Sequence, residues 1–87
     1  MVGFVYVLKG SGGEFYVGST TNLERRLKQH AYGHTQTTVR MKNPEVALIQ
    51  KYPSLGTARK VERRLKRMKR KDFLEKMIID GYIRIKA

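Results

Sequence analysis

GFVYVLKGSGGEFYVGST runs from Gly3 to Thr20. Its two ends are apolar and rich in β-branched and aromatic residues, and its middle, Gly10 to Glu14, is turn chemistry. That pattern predicts a hairpin, with strands over Phe4–Lys9 and Phe15–Ser19. Apolar residues occupy odd and even positions alike, so the sheet is expected to be covered on both faces. Tyr6 and Tyr16 stand on either side of the turn. In a register of even parity both phenols point to one face, whereas a bulge would separate them.

Downstream, TNLERRLKQHAYG carries Thr21 three residues before Glu24, a capping-box spacing that predicts a helix start, with Gly33 as its stop. Leu23, Leu27 and Ala31 lie along one side. Arg26 and His30 are four apart and share a face bordering that stripe, at the seam between core and solvent, while Arg25, Lys28 and Gln29 point outward. After a polar stretch to Asn43, Pro44 precedes EVALIQKY (Glu45–Tyr52), which reads as a buried strand ended by Pro53. A second helix is expected over Thr57–Met68, with Ala58, Val61, Leu65 and Met68 as its apolar stripe. A third starts near Asp72, turns Phe73, Leu74, Met77 and Ile78 inward, and stops at Asp80-Gly81. The closing YIRIK fits a short strand or an extended tail. The fold class is therefore α+β, a three-stranded antiparallel sheet flanked by three helices, in one domain over residues 1–87.

The chain's 87 residues carry 19 Lys and Arg against 7 Asp and Glu, a formal net charge of +12. The charge is concentrated: nine of the thirteen residues from Arg59 to Lys71 are Lys or Arg. Such a field attracts polyanions, nucleic acid first among them. Arg59, Arg63, Arg64, Lys66 and Arg67 are the candidate nucleic-acid contacts, with Arg63 and Arg67 four apart on the helix's outer side. A membrane surface fits less well, because the basic helix spends its apolar stripe on a core. The absence of cysteine excludes disulfides and thiolate zinc sites. No apolar run approaches the ~20 residues of a membrane span. No basic-then-apolar leader opens the sequence, so a cytoplasmic location is expected.

Within the basic helix stands one acid, Glu62, about 40° around the wheel from Ala58 and so at the edge of the apolar stripe. Two readings are open for it. It is either a salt-bridge partner, for instance of Lys66 four residues on, or a ligand for a hard divalent cation that keeps most of its water. Singly, a strand tyrosine is usually packing and a helix arginine usually solvated. Together, Tyr6, Tyr16, Arg26, His30 and Glu62 suit phosphodiester hydrolysis. That chemistry needs a base, a cation to absorb charge in the transition state, and a metal to hold the phosphate.

The sequence resembles the GIY-YIG nuclease superfamily over nearly its whole length. FVY at Phe4–Tyr6 stands where the first motif would be and YVG at Tyr16–Gly18 where the second would be. GSTTNLERRLKQH is similar to the glycine, capped helix, arginine and histidine that follow, and ARKVERRLK looks like the glutamate-bearing helix. The length resembles the small stand-alone branch, the catalytic module without a separate DNA-binding domain. The resemblance implies Tyr6 as general base or orienter of the attacking water, and Tyr16 as phosphate ligand or a sharer of that role. It implies Arg26 as transition-state cation, His30 as a hydrogen-bonding aid near the nucleophile, and Glu62 as the ligand of one Mg²⁺ or Mn²⁺. Gly18 would permit close backbone approach. It further implies DNA as substrate, branched or damaged DNA and a role in DNA repair included, and a protein partner that delivers it. Phe4-Val5 and Val17 replace apolar motif residues, with packing consequences expected. His34 is a loose match to a further histidine of some members. The carboxamide that others carry near the C-terminus has no counterpart, the last asparagine being Asn43. The rival reading is a non-catalytic basic module that binds RNA or the ribosome and uses its tyrosines for packing or stacking. Glu62 discriminates: binding alone has no need of an acid among phosphate-facing cations, and a metal site does.

Overall fold

The computed structural model describes residues 2–31, 45–68 and 71–83. The hairpin forms as its sequence dictates: β1 (Gly3–Lys9) and β2 (Phe15–Thr20) pair antiparallel. The Gly10 N–H bonds the Glu14 carbonyl (2.8 Å) and the Gly13 N–H returns to the Gly10 carbonyl (3.0 Å). Gly13 takes φ +86°, left-handed backbone that glycine adopts without strain. β3 (Glu45–Tyr52) pairs with the other side of β1, giving the order β2-β1-β3. The β1–β3 register shifts between Val7 and Leu8, so Ala47 is an extra residue on β3.

Register fixes the faces. Val7 pairs with Val17 and Leu48, and these residues with Val5 meet Ala58, Val61 and Leu65 of α2 (Leu55–Met68). Met77 of α3 (Lys71–Asp80) and Ile83 close that core. On the opposite face Tyr6 and Leu8 are covered by Tyr16 and by Leu23 and Leu27 of α1 (Leu23–Ala31). Both faces are thus covered, as the mixed apolar pattern predicts. At one crossing the sheet tolerates no side chain. Gly18 lies opposite Tyr6, and a Cβ there would meet the Tyr6 hydroxyl and stand 2.5 Å from its Cζ.

Several boundaries differ from expectation for local reasons. The cap of α1 is Asn22, not Thr21. Asn22 Oδ1 accepts the Arg25 N–H (3.0 Å), and its carbonyl accepts that of Arg26 (3.1 Å). Glu24 pairs instead with Lys28 at 3.4 Å. α2 begins at Leu55 rather than Thr57, because the Ser54 hydroxyl caps the Thr57 N–H (3.2 Å) and the helix accommodates Gly56 in its first turn. β3 is an edge strand, not a buried one: Leu48 is buried, while Val46 and Ile49 are 44% and 41% exposed. Phe73 is not an inner residue of α3, being 38% exposed, whereas Leu74, Met77 and Ile78 do turn inward. The Ala31 side chain lies outside the described residues, as does the sequence from Tyr32 to Pro44 and from Arg84 onward.

The chain after α3 turns at Gly81 (φ +82°) and is held by Gln50. The Gln50 amide acts as a surrogate strand. Its Oε1 accepts the Ile83 N–H at 2.6 Å and its Nε2 donates to the Ile83 carbonyl at 3.3 Å. The same nitrogen donates to the Tyr52 hydroxyl at 2.9 Å. Ile83 is thereby seated in the core. Gln50→Met keeps the side-chain length and strands both backbone groups. It should destabilise the protein by about 1–3 kcal/mol, read as a lower urea midpoint at unchanged m-value. An unaltered midpoint would show that the amide clamp contributes nothing.

Candidate active site

The even register of the hairpin puts Tyr6 and Tyr16 on one face. Their ring centroids are 6.2 Å apart and their planes inclined by 43°. Tyr6 comes from the central strand and has no exposed surface, its hydroxyl lying over Gly18. Tyr16 comes from the edge strand and is half-buried. Arg26 is half-buried one turn into α1, held at the seam its spacing predicts. Its Nε–H donates to the Tyr6 hydroxyl oxygen at 3.2 Å, and its Nη1 reaches Gln29 Oε1 at 3.4 Å. Gln29 therefore turns toward Arg26 rather than outward.

Burial pushes the Tyr6 phenol up to about 12, against the lowering pull of the Arg26 hydrogen bond, and the neighbouring Tyr16 hydroxyl adds to the rise. Arg26 is in turn held above its ordinary value, chiefly by that hydrogen bond to Tyr6, with the Glu62 carboxylate contributing. At neutral pH the pair is a neutral phenol and a fixed guanidinium.

Glu62 stands on α2, on the side of the sheet opposite the tyrosines, and reaches the β2 edge. The Ser19 hydroxyl donates to its Oε1, and Lys66 Nζ lies 2.7 Å from its Oε2. Its side chain is only 20% exposed. Lys66 closes the gap between the faces: its ammonium lies 5.8 Å from the Tyr16 ring centroid while paired to Glu62. A polar path thus runs around the β2 edge, from Arg26 through Tyr6, Tyr16 and Lys66 to Glu62 and Ser19. Gly18 sits in the same strand between the last tyrosine and the serine.

A groove of about 430 Å³ opens beside this path along α2, lined by Arg59, Glu62, Arg63, Lys66 and Arg67. Arg63 and Arg67 share this groove with Glu62 instead of lying apart from it. Arg64 lies on the same helix and does not line the groove. His30 falls in the last turn of α1 with its side chain outside the described residues, and His34 lies outside them altogether. Two participants were not anticipated in their observed roles. Ser19 was unassigned, although strand alternation from Val17 puts it on the α2 side. Lys66 takes the i, i+4 ion pair that is one of the two readings of Glu62, and its reach to the Tyr16 ring is the part that the sequence does not signal.

The donor set decides what cation could be held. Among the described residues no three His, Cys, Asp or Glu side chains cluster as a metal cage. One partly exposed carboxylate beside a phosphate-attracting groove does suit Mg²⁺ or Mn²⁺. Such ions keep several waters and take one or two carboxylates together with substrate phosphates. Glu62 fits that role if Lys66 yields its place.

Comparison with known proteins identifies the family and the fold. A UPF0213 protein of Nitratidesulfovibrio vulgaris is 42% identical over 67 residues, which span 76% of this chain and 61% of the relative's own length. A UPF0213 protein of Cupriavidus pinatubonensis is 38% identical over 66 residues, 75% of this chain and 73% of that one. The solution structure of the UPF0213 protein BH0048 from Bacillus halodurans superposes with a TM-score of 0.59 at 28% identity, covering 93% of this chain and 87% of that chain. The GIY-YIG catalytic domain matches residues 2–77. Family membership supports an endonuclease-type activity on a nucleic-acid substrate, and the chain belongs to the GIY-YIG nuclease family.

Proposed function

We propose that this chain is a divalent-metal-dependent endonuclease that hydrolyses DNA phosphodiester bonds. The observation that carries the reading is the polar path around the β2 edge. It joins a guanidinium, two phenols and a carboxylate beside a groove lined with cations. The arginines of the groove draw in the DNA backbone. Glu62 would hold one Mg²⁺ or Mn²⁺, which when bound polarises the phosphate and stabilises the leaving oxygen. Arg26, fixed by Tyr6, supplies a preorganised positive charge toward the reacting phosphate.

The tyrosine roles divide by burial. With a pKa of about 12, Tyr6 is phenolate in only about one molecule in 10⁵ at pH 7. Tyr6 therefore orients Arg26 and donates a proton rather than removing one. Tyr16, half-buried at the edge, is the phenol within reach of a phosphate or of its attacking water. His30, from the last turn of α1, assists near the nucleophile. The protein partner that delivers DNA remains part of this proposal, since the module's groove is short.

The rival reading, a basic module that binds RNA or the ribosome without chemistry, draws support from the Glu62–Lys66 ion pair, which satisfies the carboxylate without metal. Substitutions separate the two. Glu62→Gln keeps volume and removes the anionic ligand, so metal-free DNA affinity should hold or rise while Mg²⁺-dependent cleavage collapses. Arg26→Ala should cost about 10²–10³ in single-turnover rate. Replacing Arg63 and Arg67 should lower affinity and reduce the salt slope by about one unit per lost phosphate contact. Normal cleavage by folded Glu62→Gln would remove the metal assignment and favour the binding module.

The Tyr6 environment gives a pH prediction. A phenol whose folded pKa is raised keeps its proton after the unfolded chain has lost it. Its contribution to stability is complete below pH 10 and is lost between about 10 and 12. Ultraviolet titration of phenolate should show the last tyrosine ionising near 12 or only with unfolding, and Tyr6→Phe should delete that step. Tyr52 is also raised by burial and should remain as a late titrant in the variant. If Tyr6→Phe leaves the step near 12 in place, the assignment fails.

A further inference from the structure

Beyond the groove of Glu62, on the other side of Lys66, a second cavity of about 310 Å³ opens at the β2 edge. Phe15, Tyr16 and Val17 of β2, Leu65 and Lys66 of α2, and Lys71 and Leu74 of α3 line it. We propose that this cavity is a subsite for one unstacked nucleobase of the DNA strand whose phosphates lie along α2. The inference rests on the nuclease reading above and adds what the substrate must offer: a base free to leave its stack.

Three observations converge. The lining pairs aromatic and aliphatic side chains with two cations, the combination that accepts a base face together with its flanking phosphates. Lys66 lines this cavity and the Glu62 groove alike, so the two adjoin. The third is backbone chemistry. Among the described residues β2 is an edge strand, bonded to β1 alone. In an antiparallel pair each residue directs both its N–H and C=O either to its partner strand or away from it, alternately. The Gly10 N–H to Glu14 carbonyl bond sets the phase of the ladder, so Tyr16 exchanges its backbone bonds with Leu8, and Phe15 and Val17 direct a donor and an acceptor away from β1. A base edge needs such a donor–acceptor pair, and a purely apolar slot lacks it. Leu74 holds the far side from α3, partly buried against the core, so the slot is preformed.

The test uses binding without metal, which does not depend on turnover. The full chain, in EDTA, is titrated with a single-stranded DNA trinucleotide and with a trimer of the same phosphodiester backbone whose residues are abasic. The trinucleotide should bind about tenfold or more tightly than the abasic trimer, as expected for one stacked base. Its amide shifts in NMR should centre on Phe15, Tyr16, Val17 and Leu74. Leu74→Trp fills the slot; with melting temperature retained, it should erase the difference between the two probes and leave abasic binding as it was. Equal affinity of the two probes for the unsubstituted chain, with shifts confined to Arg59, Arg63 and Arg67, would overturn the subsite. So would shifts absent from Phe15–Val17, which would leave that edge open to a partner protein strand instead. The nuclease reading is judged separately, by Mg²⁺-dependent cleavage with and without Glu62. Equal probes with intact cleavage therefore reject the subsite alone.

Discussion

The arrangement depends on one crossing of the sheet, where Tyr6 faces a residue with no side chain. The Tyr6 phenol occupies the volume that a Cβ at position 18 would need. With that space granted, the ring reaches over Gly18 and its hydroxyl meets Arg26 from α1. The central strand, the edge strand and the first helix are joined through one buried oxygen. Low dielectric strengthens that contact and costs the phenol its acidity, so the same burial that fixes Arg26 makes Tyr6 a poor base. The contrast between a buried Tyr6 and a half-exposed Tyr16 follows from strand order: β1 is central and β2 is an edge.

The edge position of β2 has a second consequence. α1 and α2 pack on opposite faces, so their functional side chains could meet only around a margin of the sheet. Glu62 reaches that margin from one face and the tyrosines from the other, and the long side chain of Lys66 spans between them. Ser19 steadies the carboxylate from the strand itself. In this state the Lys66 ammonium occupies the place beside Glu62 that a metal would take. The competition is electrostatically sensible: a cation lies beside the carboxylate before and after metal arrives, and no bare charge is left half-buried.

Much of this was legible in the sequence because it rests on short-range rules. The Gly10–Glu14 turn and the alternation of the flanking strands gave the hairpin. The spacing of Tyr6 and Tyr16 puts them together in an even register, the one observed, and the four-residue spacing of Glu62 and Lys66 offered their ion pair as one of two readings. The errors were of two kinds. Competing local signals shifted the helix starts: Thr21 and Asn22 are both good caps, and Gly56 disguised the first turn of α2. Tertiary placement was invisible. EVALIQKY reads as buried because its composition is apolar, yet strand order leaves it at an edge with Ile49 exposed. The Gln50 clamp on Ile83 joins residues far apart in sequence and has no local signature. The grouping of Tyr6, Tyr16, Arg26 and Glu62 came from a resemblance to a family, and the chain's membership of that family is secure.

The central claim is that Glu62, at the β2 edge, takes one divalent cation in exchange for Lys66. Anomalous diffraction from crystals grown with Mn²⁺ and a short DNA strand tests it most directly. The account predicts a single manganese peak bonded to the Glu62 carboxylate and to a DNA phosphate, with the Lys66 ammonium withdrawn and Arg26 still on Tyr6. A Glu62–Lys66 ion pair left intact, with DNA bound and no manganese peak at the carboxylate, would contradict it.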